Sequence, residues 1–461
     1  MGLINKLKGL WSMIFENKAK ELYDVKEITP AEMATLINRC GQIYRGTPYW
    51  LTEGVRTINF AKSVCSETAR LTTLGIKVTI DGSARGKYLQ EQFDKYVYYN
   101  LRQWLEYGCG YGSVILKPNG ASIDVYTPDR FMITDHANGN VTGAVFVSQE
   151  ISGNGKEYYT RFEFHRFEND GNYKITNNCF VSDNPNDIGK PIAIVDTPWS
   201  DIEEETSIGG LDKPLFALFK TPEANNIDIK SALGMPCFYD AIQELRDLDI
   251  AYSRNATEIE DSERTILVDD ALVQGVGKNK DQTAVKLPRF ARKVYGSGQG
   301  EYYQEINPTL NTATRLEGIN ALLSQIGYKV GFSNGYFVFN EKQGIQTATG
   351  IEAEQQRSIQ FIKDMRDRLE SCVDDLINAM DAFATLYDLA PEGTYETNYD
   401  FGDITYNYAE DKATWLGYVS VGLIPKWKYL EKFEGMTEEE AKALVEEANP
   451  QIQDVFGAEE E

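Results

Sequence analysis

The sequence predicts an α+β fold from three observations. Apolar stripes at helical spacing occupy the first hundred residues and most of the second half, and strand-like alternation fills residues 113–179. The two patterns come in blocks rather than in β-α-β alternation. The 461 residues, 42% hydrophobic and 12% aromatic, also carry enough apolar surface to offset the entropy of ordering.

Thr29-Pro30-Ala31-Glu32 opens the first predicted helix, with Thr29 as cap, Pro30 at the first helical position and Glu32 closing a capping box. This helix runs to about Arg45, a second spans Thr57 to Thr73, and a third Gly86 to Glu106. Between Ser113 and Cys179, runs of Val, Ile, Phe and Tyr are punctuated by Pro118-Asn119-Gly120, Ala137-Asn138-Gly139, Gly153-Asn154-Gly155 and Asn169-Asp170-Gly171, as a meander of hairpins requires. Residues 181–235 read as a long irregular connection.

From Pro236 to Glu263 a charged helix carries the stripe Phe238, Ala241, Ile242, Leu245, Leu248, Tyr252, Ala256 and Ile259. It packs one narrow face and leaves the rest to solvent or to a neighbouring subunit. A strand-and-loop segment, Thr265 to Ile306, leads into a helix begun by Asn307-Pro308 or by Thr314-Arg315-Leu316-Glu317 and ending near Gly327. Gly331 to Thr349 reads as a loop with an apolar hairpin arm, Tyr336-Phe337-Val338-Phe339, and a turn at Asn340-Glu341-Lys342-Gln343-Gly344. Thr349-Gly350-Ile351-Glu352 caps a rod of roughly 60 Å, whose stripe is Ile362, Met365, Leu369, Val373, Leu376, Met380, Phe383 and Tyr387. A short strand, Tyr395 to Ile404, and two or three helices finish the chain, the last capped by Thr437-Glu438-Glu439-Glu440.

Forty-six basic residues against 70 acidic ones give a net charge of −24. Such a chain cannot coat nucleic acid by neutralising phosphates, so contact with DNA is local or exploits repulsion. No window approaches a membrane span, and Lys6 and Lys8 interrupt any signal-type apolar core, so a soluble chain made in the cytoplasm is expected, with no membrane partner. The cysteines (Cys40, Cys65, Cys109, Cys179, Cys237, Cys372) lack C-x-x-C spacing and read as reduced, mostly buried thiols.

Two histidines, His136 and His165, are too few for a His-rich metal centre, and His165 reads as one polar tooth of a strand. Gly331-Phe332-Ser333-Asn334-Gly335 matches the G-x-S-x-G of hydrolases, but it follows a helix rather than a strand, and both histidines precede it. The glycine clusters Gly108-Cys109-Gly110-Tyr111-Gly112, Gly275-Val276-Gly277-Lys278 and Gly296-Ser297-Gly298-Gln299-Gly300 lack a nucleotide-binding context. No catalytic residue, metal or cofactor is therefore assigned. Paired carboxylates such as Asp269-Asp270 or Asp374-Asp375 keep a carbohydrate-active hydrolase open as the enzymatic alternative. One region reverses the charge: residues 278–293 hold Lys278, Lys280, Lys286, Arg289, Arg292 and Lys293 against Asp281 alone, which reads as a solvated loop or as a docking surface for an acidic partner.

Several stretches, taken in order, resemble the portal (connector) proteins of tailed bacteriophages, in the branch found in siphophages of Gram-positive hosts. They are Asn59-Phe60-Ala61-Lys62-Ser63-Val64-Cys65, Tyr107-Gly108-Cys109-Gly110-Tyr111-Gly112, Thr127-Pro128-Asp129-Arg130-Phe131, Leu245-Arg246-Asp247-Leu248-Asp249, Ile306-Asn307-Pro308-Thr309-Leu310 and Tyr399-Asp400-Phe401-Gly402-Asp403. The resemblance implies a non-enzymatic ring of about twelve subunits at one capsid vertex of the virion, assembled in the host cytoplasm. Double-stranded DNA would be packaged and ejected through it without sequence specificity. Implied partners are the terminase large subunit, head–tail adaptor proteins, scaffold and the major capsid protein.

Segment by segment, the resemblance makes residues 1–235 an α+β wing, 236–263 a stem helix, 264–306 a small β-containing clip and 307–330 the returning stem helix. Residues 331–349 become the tunnel loop, 350–390 the long wing helix and 391–461 a wing strand and helical crown. Asn334, Asn340, Glu341, Lys342 and Gln343 of the loop, with Glu258, Glu260, Asp261 and Glu263 of the stem, would face DNA, and the six basic residues of 278–293 would form the clip's docking surface. An acidic bore is physically apt, because each phosphate held by Lys or Arg adds a salt-dependent well that slows a moving duplex. Another virion ring component, such as an adaptor, stays open as the structural alternative.

Overall fold

A computed structural model describes residues 14–25, 29–120, 122–137, 139–153, 155–261, 265–269, 291–294, 303–306, 311–338, 348–402, 408–421 and 423–448. With 46% helix and 20% strand it is α+β, as expected. It divides into two compact units, Met1–Phe401 and Gly402–Glu461. No helix of the described residues is long and apolar enough to cross a membrane.

The first unit opens with α1 (residues 14–23), α2 (Ala31–Tyr44), α3 (Phe60–Thr72), β1 (Lys77–Asp81), α4 (Ala84–Tyr96) and α5 (Leu101–Tyr111). Nine strands follow: β2 (Ser113–Pro118), β3 (Ile123–Tyr126), β4 (Phe131–Ala137), β5 (Asn140–Ile151), β6 (Tyr158–Phe167), β7 (Tyr173–Ser182), β8 (Lys190–Ile192), β9 (Glu205–Ile208) and β10 (Ala217–Lys220). The four turn clusters read from the sequence fall between successive strands from β2 to β7. Strands β4 to β7 form the expected antiparallel meander, and β8 and β9 both extend the β7 edge. A second sheet has the order β10-β2-β3.

Several expectations are corrected. The helix expected over Gly86–Glu106 is two helices, because Val97-Tyr98-Tyr99 is poor in helix formers and the Asn100 side chain donates to Tyr96 O at 3.1 Å. The connection over 181–235 contains β8, β9 and β10; β8 pairs with the neighbouring β7, whereas β9 and β10 find partners far along the chain, β10 on β2, and so leave no local pattern. Pro30 occupies the cap of α2 without a side-chain bond, so the Thr29/Glu32 box does not form.

The main sheet is covered on both faces. On one, Phe162 and Phe164 of β6 pack with Phe15 and Ala19 of α1, Val145, Val147 and Phe180. The alternate positions Arg161, Glu163 and His165 point the other way, and they too are buried, because the β10-β2-β3 sheet lies over them. His165 is thus one polar tooth of a strand, as read from the sequence, and it is buried. The Glu163 carboxylate accepts from Lys117 Nζ of β2 at 2.7 and 2.8 Å, from Arg161 at 2.9 Å and from His165 Nε2 at 2.7 Å. The His165 Nδ1 atom lies 2.8 Å from Tyr173 Oη, which itself accepts from Leu215 N. Tyr173 therefore donates to Nδ1, and the imidazole donates through Nε2 to Glu163. Burial alone would raise the Glu163 carboxyl, but Lys117, His165 and Arg161 outweigh it and hold it well below the usual range. Burial pushes His165 down, favouring the neutral ring.

Helix α6 (Ile242–Asp261) leads to β11 (Thr265–Asp269), β12 (Ala291–Val294), β13 (Tyr303–Ile306) and the returning α7 (Thr312–Val330). The cap of α7 is Asn311, so Thr314 is already inside the helix and does not start it; the alternative start at Asn307-Pro308 lies outside the described residues. Helix α8 (Ala348–Leu386) has 39 residues, about 58 Å, and β14 (Glu396–Asp400) pairs antiparallel with β1. Ile362, Met365, Leu369, Val373, Leu376 and Met380 of the predicted stripe are buried, whereas Tyr387, past the helix end, is exposed. Two buried arginines hold α8. Arg366 donates to Leu71 O and Thr72 O at the end of α3, each at 3.2 Å, and Arg85 donates to Asp381 O at 3.2 Å and Pro391 O at 3.1 Å.

The second unit holds α9 (Tyr408–Ser420), α10 (Lys426–Glu434) and α11 (Glu438–Ala448). Trp415 packs edge-on against Phe433, and Lys412 pairs with Glu434 at 2.8 Å. The capping box read at α11 forms: Thr437 N donates to Glu440 Oε2 at 3.0 Å, and Glu440 N to Thr437 Oγ1 at 3.3 Å.

Replacing Lys117 by Met removes one of the two cations on the buried Glu163 carboxylate, leaving Arg161 alone to oppose its desolvation, and is expected to cost about 3 kcal/mol of stability in chemical denaturation. An unfolded histidine takes up a proton near pH ~6.5, whereas His165 stays neutral to lower pH in the fold, so stability falls as pH drops below about 6.5. The thermal midpoint at pH 5 is expected to lie below that at pH 7, and His165→Gln to flatten the difference.

Candidate functional site

Two cross-pairs set the geometry of α6 and α7. Lys329 Nζ lies 2.7 Å from Glu244 Oε1 and donates to Asp240 O at 2.9 Å, while Arg315 pairs with Glu258 nearer the far end. Matching 244 with 329 and 258 with 315 makes the helices antiparallel. Glu258 also accepts from Asn311 N at 3.0 Å, so it ties the start of α7 to the end of α6. Between the helices, β11 pairs parallel with β12 and antiparallel with β13 in a small tip sheet.

Asp249 fixes where the pair leaves the body. It is 3% exposed, and its two oxygens accept from Trp50 Nε1 at 2.9 Å and Ile58 N at 3.1 Å. One turn on, Ser253 Oγ accepts from Arg56 N at 2.8 Å. Burial raises the Asp249 carboxyl, and the donation from Trp50 and Ile58 opposes that rise. The segment entering α6 is held equally closely. Cys237 N donates to Cys109 O at 3.0 Å, Gly234 N to Ser113 Oγ at 2.9 Å, and Thr221 Oγ1 to Met235 O at 2.6 Å. A Cβ on Gly112, whose φ is +81°, would lie 2.4 Å from Gly234 O. The glycine cluster 108–112 therefore lets two backbones cross.

Beyond α7, Gly331 turns the chain at φ +111° into a compact aromatic cluster. Phe332 packs at a tilt on Tyr336 and edge-on against Phe337 and Phe361, Phe337 meets Phe60 of α3 edge-on, and Tyr336 Oη donates to Glu67. Residues 334–337 form a turn, so the apolar arm expected over 336–339 is not a hairpin strand where it is described; its aromatic rings find partners on α3 and α8 instead.

The sequence-predicted site residues separate into three groups. Glu258 is engaged with Arg315, and Asn334 accepts from Ser324 Oγ. Glu260 and Asp261 lie on the last turn of α6, and Arg292 and Lys293 lie on β12 opposite Leu267 and Val268. Glu263, Lys278, Lys280, Lys286, Arg289, Asn340, Glu341, Lys342 and Gln343 lie outside the described residues.

Ser333 is buried, its Oγ accepting from Ser358 Oγ at 3.0 Å, with no histidine beside it. Among the described residues no three His, Cys, Asp or Glu side chains are placed to hold a metal. All six cysteines are buried thiols; Cys65 and Cys237 approach to 3.7 Å where α3 meets the entry to α6. The residues that sequence reasoning missed are the clasp of Trp50 and Ile58 on Asp249 and the two arginine clamps. A signal existed for Asp249, which ends one of the stretches behind the resemblance.

The sequence model of the family described as phage portal protein, SPP1 Gp6-like, matches residues 57–454. No curated protein sequence matches the chain. Among solved structures, one from "Virion of native gene transfer agent (GTA) particle" is 11% identical, with TM-score 0.43, over 88% of this chain and 94% of that one. Another, from "Neck of native GTA particle computed with C12 symmetry", is 9% identical, with TM-score 0.37, over 88% and 93%. The family match spans both helices of the pair, the tip sheet, α8 and most of the second unit: the chain belongs to the SPP1 Gp6-like phage portal proteins and has their structural role.

Proposed function

We propose that about twelve copies close into a ring at one vertex of a tailed-phage capsid of the siphophage type found on Gram-positive hosts, assembled in the host cytoplasm. The ring passes double-stranded DNA inward during packaging and outward during ejection. The observation that carries this reading is the division of the α6 stripe. Phe238, Ala241, Leu245 and Leu248 are buried near its root, whereas Tyr252 and Ile259 are 44% and 51% exposed. An apolar stripe that continues past the subunit's own core is covered when copies stand side by side. The net charge of −24 suits a wall that a polyanion passes without adhering.

On this reading α6 and α7 are the stem, the tip sheet is the clip, and residues 331–349 are the tunnel loop. Glu258 serves as a strut between the stem helices. The acidic surface toward the duplex falls to Glu260, Asp261 and Glu263, and loop contact to Asn334, Asn340, Glu341, Lys342 and Gln343. The basic segment with Lys278, Lys280, Lys286, Arg289, Arg292 and Lys293 docks the acidic face of the terminase large subunit and later of the head–tail adaptors. Scaffold and the major capsid protein surround the ring.

Negative-stain images of the purified chain are expected to show rings with a channel wide enough for a duplex; a solid or monomeric particle refutes the reading. The combined change of Lys286, Arg289 and Arg292 to Ala is expected to leave rings intact and weaken terminase capture, measured by co-sedimentation, with packaging falling in parallel. Asp249→Leu leaves the Trp50 and Ile58 donors unpaired at a buried site and is expected to cost about 1–3 kcal/mol, with fewer rings at a given protein concentration.

A further inference from the structure

The two-stranded sheet of β1 and β14 has one closed edge and one open edge, and hydrogen-bond parity identifies both. In an antiparallel pair, the N–H and C=O of any one residue point to the same side, alternating along the strand. Ile80 N donates to Gln90 Oε1 at 2.7 Å, and Gln90 Nε2 donates to Val78 O at 3.2 Å. The Gln90 amide thus serves the edge of β1 that faces away from β14, a side chain standing in for a third strand. Lys77, Thr79 and Asp81 must then turn their backbone groups toward their partners Asp400, Asn398 and Glu396. It follows that Thr397 and Tyr399 of β14 turn N–H and C=O to the other side. Among the described residues, none meets those four groups.

That edge is well supported. The Tyr399 hydroxyl donates to Asp374 Oδ1 of α8 at 2.6 Å, and Phe401, just past the strand, lies under Arg366. Glu396, Asn398 and Asp400 are exposed on one face. A fixed row of backbone groups that no described residue meets, flanked by carboxylates, is a template for an extended segment carrying positive charge. The chain holds such a segment: residues 2–11 contain Lys6 and Lys8 and no acid, and in an extended conformation both lysines share one face.

We propose that the N-terminal segment Gly2–Trp11 of a neighbouring copy adds to the open edge of β14, so that each subunit is stitched to the next by a shared strand. The inference rests on the ring reading above, because the added strand comes from a neighbouring copy.

Hydrogen–deuterium exchange of the assembled ring and of the monomer, read by mass spectrometry on peptides spanning 396–400, tests it. The ring is expected to slow this stretch about tenfold or more relative to the monomer. Deleting residues 2–11 is expected to restore monomer-like exchange there. If the deletion prevents assembly, Lys6→Glu with Lys8→Glu takes its place, with the same loss of protection expected. Thr397→Pro removes only an outward-facing donor and leaves the β1 ladder intact; it is expected to keep the monomer's melting temperature while weakening ring formation. Rings in which 396–400 exchanges as fast as in the monomer overturn the stitch and leave the portal reading standing. Protection already present in the monomer, or persisting in both N-terminal variants, overturns the assigned occupant. A chain that forms no ring under any condition overturns the portal reading itself.

Discussion

The structure depends on how a highly charged helix is gripped at its root. Helix α6 projects from the body with a stripe too narrow to hold it by burial alone, so its direction is set by polar contacts. Asp249 takes two donors from the 50–58 segment, Ser253 takes a third, and the crossing at Gly112 and Gly234 leaves the entering chain a single path. Hydrogen bonds to a buried carboxylate are directional and costly to leave unmade, which makes them better than apolar contact at fixing an angle. The partner helix, its tip sheet and the distal stripe inherit their positions from this root.

The same economy governs the buried charges. In a chain with 70 acidic side chains, most carboxylates remain in water. Glu163, taken inside, is saturated: it receives a lysine, an arginine and a neutral imidazole, and it joins the main sheet to the β10-β2-β3 sheet. Arg85 and Arg366 do the converse, carrying positive charge to the carbonyl ends of helices, where the backbone dipole presents negative charge.

Much of this was legible in the sequence. The hairpin meander was, because its turn residues recur between alternating runs; so were the α8 stripe and the Thr437 box, because both are local signals. What was not legible depends on distant partners. β10 has meaning only beside β2, and Glu163 reads as one more surface acid until Lys117 is placed across from it. The arm at 336–338 was misread because its aromatic spacing suits a strand as well as a turn folded onto α3 and α8. The proposed channel is read from a family pattern and from charge, and Glu258 illustrates the limit of that reading: sequence reports its sign but not that Arg315 answers it.

The two guanidinium anchors on α8 have a mechanical consequence. Sliding the helix along its axis by one turn, about 5.4 Å, would tear Arg366 from the end of α3 and Arg85 from Asp381 O together, stranding two buried charges. No graded slippage is available between zero and one turn, since the side chains along its stripe are locked among their neighbours. Axial load applied to this rod is therefore delivered undiminished to the body, and α8 can shift only when α3 and α4 travel with it.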